Sequence, residues 1–227
     1  MTGRVIFSLT IVLIMTTTSS HSQQHQPHNK ANEHMHQSSI EDLASRFDDP
    51  SRDVWQKPDQ VIGLLGEIEG KTVVDIGAGT GYFTFRLAQK GARVVAVDVN
   101  DDFQNFIAEK KKELNYSDEQ IILKKVPFDS PELENSSADA VIIVNTYHHI
   151  DNRELYFRKV LDGLVKGGVL MVVDFKKDQQ DPEAPGPPYQ MRISQEQVIE
   201  ELKQSGFNEF YTDPDLLRFQ YVIRAIK

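Results

Sequence analysis

The sequence predicts an α/β fold: a doubly wound, mostly parallel sheet covered by helices on both faces, with an antiparallel hairpin at its C-terminal end. Three observations predict it. Short apolar runs at 94–97, following Arg93, and at 140–144 and 169–173 have no polar face to turn toward water, so both their faces must be covered. Helix-patterned segments separate these runs, which calls for parallel strands joined by crossovers. The C-terminal stretch instead carries two strand-like runs, 207–212 and 218–225, around the turn residues Asp213-Pro214-Asp215. At 227 residues the chain suffices for one such domain plus a tail, and no repeat period runs through it.

In order, the chain opens on a segment that reads as a targeting signal. Arg4 precedes an apolar run at 5–15, and small residues follow at 16–20. That run is shorter than the ~20 residues a spanning helix needs, so residues 1–20 are expected to be a signal peptide or, if uncleaved, an N-terminal anchor. Residues 21–39, rich in His, Gln, Asn and Ser, hold too little apolar surface to offset ordering entropy and read as a disordered linker. Five of the seven histidines lie there, His21, His25, His28, His34 and His36. Such a tract is either a polar tether or a ligand for zinc, copper or nickel through neutral imidazoles.

The folded domain is expected over 40–227, beginning with a helix at 41–46. Pro58 suits the first turn of a second helix over 59–65, and Trp55, the only tryptophan, suits a hydrophobic anchor for this leading segment. Val73, Val74, Asp75 and Ile76 form a strand running into Gly77, and a helix at 83–90 and a strand at 93–97 ending in Asp98 complete a β-turn-α-β unit. A charged amphipathic helix is expected at 101–114, strands at 121–126 and 140–144, a helix at 153–164 and a strand at 169–173. Residues 176–189, with Pro182, Pro185, Gly186, Pro187 and Pro188, read as an irregular loop. Ser194 then caps a helix over 195–205 that Gly206 stops.

The bend Asp75-Ile76-Gly77-Ala78-Gly79-Thr80-Gly81 suits a nucleoside. Its glycines let backbone approach a ligand closely, and an acid about 20 residues onward can accept from ribose hydroxyls. A dinucleotide fingerprint would place its third glycine at 82, where Tyr82 stands. Asp75 would repel a pyrophosphate and attract a cationic amino group. With Asp98 closing the second strand, the bend resembles motif I of the class I S-adenosylmethionine-dependent methyltransferases, and the likeness extends over residues 61–227.

That resemblance implies a seven-stranded sheet of order 3-2-1-4-5-7-6, S-adenosylmethionine as cofactor, and methyl transfer. It implies a cofactor site formed by Asp75, Gly77, Gly79, Gly81 and Asp98, with the glycines beneath the methionine portion. Asp98 takes the ribose hydroxyls in that reading and is a solvated strand-end acid in the other. Asp129 accepts from the adenine amino group, with Phe128 packed on the base, or else is a turn acid. Trp55 or Arg52 lines the site or packs in the core. Asn145 and Tyr147 fall where cofactor and acceptor would be contacted, and His148 and His149 are candidate general bases or hydrogen-bonded structural histidines. Asp174 and Arg192 fall where they can face the acceptor pocket, Arg192 as a clamp for an anionic substrate or as a solvent-facing side chain.

Composition narrows the partners. With 25 basic and 34 acidic residues the net charge is −9, and no basic run could neutralise a row of phosphates, so nucleic acid is not expected. The absence of cysteine excludes disulfides, a lipidated cysteine anchor and cysteine-dependent methyl transfer. No metal site is expected in the domain. The expected activity is in-line methyl transfer to an oxygen or nitrogen of a small-molecule acceptor, by an exported protein that touches a membrane only through an uncleaved anchor. A nicotinamide (NAD(P))-dependent oxidoreductase on the same βαβ unit, and an exported non-catalytic binding protein that keeps the fold, are the alternatives. The sequence sets no oligomeric state.

Overall fold

The computed structural model describes residues 39–177 and 181–227. The targeting segment expected at 1–20 lies outside these residues, as does the linker expected at 21–39 except for Ser39. Ser39 caps helix α1 (Ile40–Phe47), its hydroxyl accepting from Asp42 N at 3.1 Å. A six-residue helix not expected from the sequence, α2 (Ser51–Gln56), follows Pro50 and ends at Lys57 in the left-handed conformation. It is too short to show a periodic apolar face, and the prolines that bracket it read as loop. Helix α3 (Pro58–Gly63) has Pro58 in its first turn, as expected.

Seven strands form one sheet: β1 (Thr72–Ile76), β2 (Arg93–Asp98), β3 (Ile121–Lys125), β4 (Ala138–Val144), β5 (Leu164–Phe175), β6 (Glu209–Thr212) and β7 (Gln220–Ile226). Their order is β3-β2-β1-β4-β5-β7-β6. The first five are parallel, and β7 lies antiparallel to both β5 and β6. Between them run α4 (Tyr82–Gln89), α5 (Asp101–Glu113), α6 (Arg153–Gly163) and α7 (Gln195–Gln204). Alternate residues of each strand enter opposite cores. Val73, Val94, Ala140, Ile142 and Met171 pack with Val61, Phe83, Leu87 and Ile107 on one face. Val74, Val141, Ile143, Leu170 and Val172 pack with Phe157, Val160, Val198 and Leu202 on the other. This double coverage explains the uninterrupted apolar strands, each buried aliphatic side chain contributing roughly 1.5–3 kcal/mol.

β5 departs from expectation by starting directly at the end of α6, five residues before the expected Val169. The chain there bulges: Leu164 pairs with Ala138, but Val169 pairs with Ala140. Gly167, at φ +78°, makes the bulge possible and donates from its N–H to Lys227 O at 3.0 Å. The strand order reverses between β1 and β4, the place where doubly wound sheets open a crevice at the carboxyl ends of their strands. No helix among the described residues is long and apolar enough to cross a membrane.

Candidate active site

The bend after β1 folds over the end of β2, because Gly77 N and Ala78 N both donate to Val97 O, at 2.8 and 3.1 Å. Gly77, Gly79 and Gly81 have φ of +73°, +54° and +82°, a region that L side chains rarely adopt. Their surroundings differ. A Cβ on Gly77 would sit 2.3 Å from Thr146 Oγ1, and one on Gly81 2.6 Å from the Phe85 ring. A Cβ on Gly79 would meet nothing nearer than the Phe47 ring at 3.7 Å, so Gly79 is where the bend stays open to a ligand.

Two buried acids flank that opening. Asp98 accepts from Gly79 N through Oδ2 at 2.9 Å and from Asn100 N through Oδ1 at 3.0 Å. Burial raises its pKa against the pull of these N–H groups. A carboxylate offers about four acceptor positions, so room remains for hydroxyl donors. Asp75 accepts from Thr84 Oγ1 at 2.7 Å. Its pKa is pushed up to about 6 by burial, with the nearby charge of Asp98 adding to the rise and the Thr84 bond opposing it. No ion pair to either acid occurs among the described residues. A cationic ligand carrying hydroxyl and ammonium donors therefore fits this donor set, and an anionic pyrophosphate does not.

Beyond the acids, the remaining expected residues separate. Asn145 closes β4 in the left-handed conformation at φ +56°, half-buried, its N–H donating to Val173 O at 2.9 Å and its side chain accepting from Gln220. Phe128 is partly buried and Asp129 exposed after β3. Burial first, then the charges of Asp98 and Asp129, raises the pKa of the Tyr156 phenol. His148 is buried with Nδ1 at 3.0 and 2.9 Å from the two carboxylate oxygens of Asp174, at the end of β5. The His149 ring lies 4.3 Å from that of His148, and burial, with the charge of His148 second, lowers its pKa to about 3.

Tyr147 corrects an expectation. It is fully buried, stacked on Phe157 at 4.8 Å, with its hydroxyl donating to Glu201 at 2.8 Å. The one-turn 3-10 helix it opens sends its large ring into the second core, where an aromatic gains more than at the crevice rim. Arg192 is also corrected as a solvent-facing side chain. It is buried beside the Phe175 ring, donating to Pro187 O at 2.9 Å and Lys176 O at 3.2 Å, and so pins the proline loop.

Helices α1 and α2 form a lid over the bend. Asp48 accepts from Thr80 Oγ1 at 2.7 Å and pairs with Lys110 at 2.8 Å. Asp53 pairs with Arg86 at 2.9 Å and accepts from the Tyr82 hydroxyl. Tyr82, standing where a dinucleotide fingerprint has glycine, lies between the guanidiniums of Arg52 and Arg86, 3.8 and 3.9 Å from its ring centroid. Trp55 packs on Phe175 and Phe219 at 6.0 and 6.4 Å, so core anchoring is its role here. Sequence reasoning missed Phe47, Thr84, Thr146 and Gln56, which carry no local pattern. It also missed Gln220, whose signal was present as a lone amide between Phe219 and Tyr221 in an apolar strand.

Residues 74–172 match the sequence profile of a family described as a methyltransferase domain. An (S)-coclaurine N-methyltransferase of Thalictrum flavum subsp. glaucum is 30% identical over 106 residues, covering 46% of this chain and 28% of the relative. A tRNA U34 carboxymethyltransferase of Haemophilus influenzae is 29% identical over 118 residues, covering 51% of this chain and 36% of the relative. The chain thus spans about a third of the length of these curated relatives. The crystal structure of a SAM-dependent methyltransferase from Aquifex aeolicus superposes with a TM-score of 0.72 at 22% identity, covering 83% of this chain and 98% of that one.

Proposed function

We propose, from the premise that this chain belongs to the class I S-adenosylmethionine-dependent methyltransferases, that it transfers a methyl group to an oxygen or nitrogen of a small-molecule acceptor. The carrying observation is the pair of buried acids, Asp75 and Asp98, at the ends of adjacent strands on either side of the open Gly79. S-adenosylmethionine, the cofactor, supplies a methyl group already activated on a sulfonium. Asp75 would hold its ammonium and Asp98 its ribose hydroxyls, with Phe128 and Asp129 toward the base. Phe47 borders Gly79 from the lid, in position to shield a bound cofactor.

His148 is the candidate base. A carboxylate only accepts, so Asp174 requires the proton on His148 Nδ1 and leaves Nε2 as the basic nitrogen. The lowered pKa of His149 keeps it neutral, so it adds no competing charge beside that base. Proton removal from an acceptor hydroxyl or ammonium is the step such a dyad serves.

The net charge of −9 and the lack of a basic run support a small acceptor over nucleic acid, as does the N-methyltransferase relative; the tRNA-modifying relative favours the other reading. Incubating the protein with methyl-labelled cofactor and a cell extract tests this directly. Label is expected in the small-molecule fraction; label confined to protein or RNA would overturn the acceptor class. Export through residues 1–20 belongs to the same proposal and is checked by N-terminal sequencing of protein recovered outside the cytoplasm.

A further inference from the structure

A file of side-chain amides runs from the lid to the crevice. Arg52 Nε donates to Gln56 Oε1, Gln56 Nε2 donates to Gln220 Oε1 at 2.8 Å, and Gln220 Nε2 donates to Asn145 Oδ1. Gln56 and Gln220 are each 0% exposed, whereas Asn145 is only half-buried. An amide can donate or accept at either end, but a guanidinium only donates. With Arg52 at the head, one polarity alone satisfies all three contacts. Turning any amide over would set donor against donor or acceptor against acceptor inside the protein, which is costly. The polarity therefore reaches Asn145, whose oxygen is engaged by Gln220 and whose N–H pair points away from the file.

The position of that N–H pair matters. Thr146, the next residue, is packed against Gly77, so Asn145 stands beside the glycine bend, and Asp75 lies two residues before Gly77 on the other strand. A carboxylate and a pair of amide donors thus border the same bend, in the arrangement that suits a zwitterionic amino acid. We propose that Arg52, Gln56 and Gln220 are positioning residues that hold the Asn145 amide as a donor to the carboxylate of the cofactor's amino-acid portion, while Asp75 takes its ammonium. Because Arg52 and Gln56 belong to α2, this orientation exists only while the lid is docked. The inference rests on the methyltransferase reading.

Calorimetric titration of the whole chain with S-adenosylhomocysteine and with 5′-methylthioadenosine, which has no carboxylate, tests it. Asn145→Asp still accepts from Gln220 but presents an oxygen in place of the N–H pair. It should weaken S-adenosylhomocysteine about tenfold or more, the effect of losing a charge-assisted bond, and leave 5′-methylthioadenosine unchanged. Gln220→Leu, which frees the Asn145 amide to turn, should give the same ligand-dependent loss. In the ligand-free protein it should also speed solvent exchange of the Gln56 side-chain protons, read by NMR. Unchanged or tighter S-adenosylhomocysteine binding in Asn145→Asp, or equal weakening of both ligands, would overturn the proposal. Failure of the wild-type chain to bind S-adenosylhomocysteine would instead overturn the functional reading beneath it.

Discussion

Asp75 is a carboxyl group that folding prefers to keep protonated. Burial lifts its pKa from 3.8 to about 6, so the folded chain binds this proton more tightly than the unfolded one. Its contribution to stability is fully present below the unfolded value and is lost as the pH rises through about 6. His149 acts in the opposite sense. Its pKa is lowered from 6.5 to about 3, so its contribution is present above 6.5 and lost as the pH falls through about 3. At pH 7 the ligand-free protein therefore holds a strained charge at position 75. Asp75→Asn should raise stability by on the order of 1–3 kcal/mol in urea melts while abolishing S-adenosylhomocysteine binding. Wild-type binding near pH 5.5 should release a proton, seen as a heat that varies with the ionisation enthalpy of the buffer; a buffer-independent heat would contradict the assignment. Tyr221 gives a second test. Facing Asp174 across β5 and β7, its buried hydroxyl has no hydrogen-bond partner among the described residues. Since an unsatisfied buried hydroxyl costs about 1–3 kcal/mol, Tyr221→Phe should be neutral or stabilising; a clear loss in the urea midpoint would reveal a partner such as an ordered water.

Among the elements, α1 and α2 are held differently from the rest. The helices on the sheet are fixed by apolar burial, whereas the lid adds to its apolar contacts, Trp55 with Phe175 and Phe219 and Phe47 with Phe103, a set of polar ties from Asp48 to Lys110 and Thr80 and from Asp53 to Arg86 and Tyr82. These pairs are partly exposed, and such pairs contribute about 0–1 kcal/mol each and are screened by salt. Raising salt from roughly 0.05 to 1 M should loosen the lid, shift Trp55 fluorescence to the red, and speed release of S-adenosylhomocysteine several-fold. The double variant Asp48→Asn, Asp53→Asn should start from the loosened state and respond little to salt. Equal salt responses in the two proteins would show that apolar contacts, such as Phe47 with Phe103, hold the lid instead.

At the scale of the whole molecule, strand type was legible because β2, β4 and β5 carry continuous apolar runs that call for cover on both faces, whereas strand order was legible only through the likeness of Asp75, the glycines and Asp98 to motif I. The lid was legible only in part. Trp55 announced an anchor, but α2 is too short for periodicity to reveal and its contacts, Gln56 with Gln220 and Asp53 with Arg86, join residues far apart in sequence. Tyr147 was misjudged for a related reason: a strand-end position indicates which end of the sheet a residue occupies, not which of two cores its side chain enters. The place of β7 between β5 and β6 bears on how the protein comes into being. The last of the seven strands in chain order fills an interior slot, so a nascent chain emerging from the ribosome carries β5 with a bare edge until residues 220–226 have followed. The sheet cannot close before that strand has emerged, and until then the growing polypeptide stays available to chaperones.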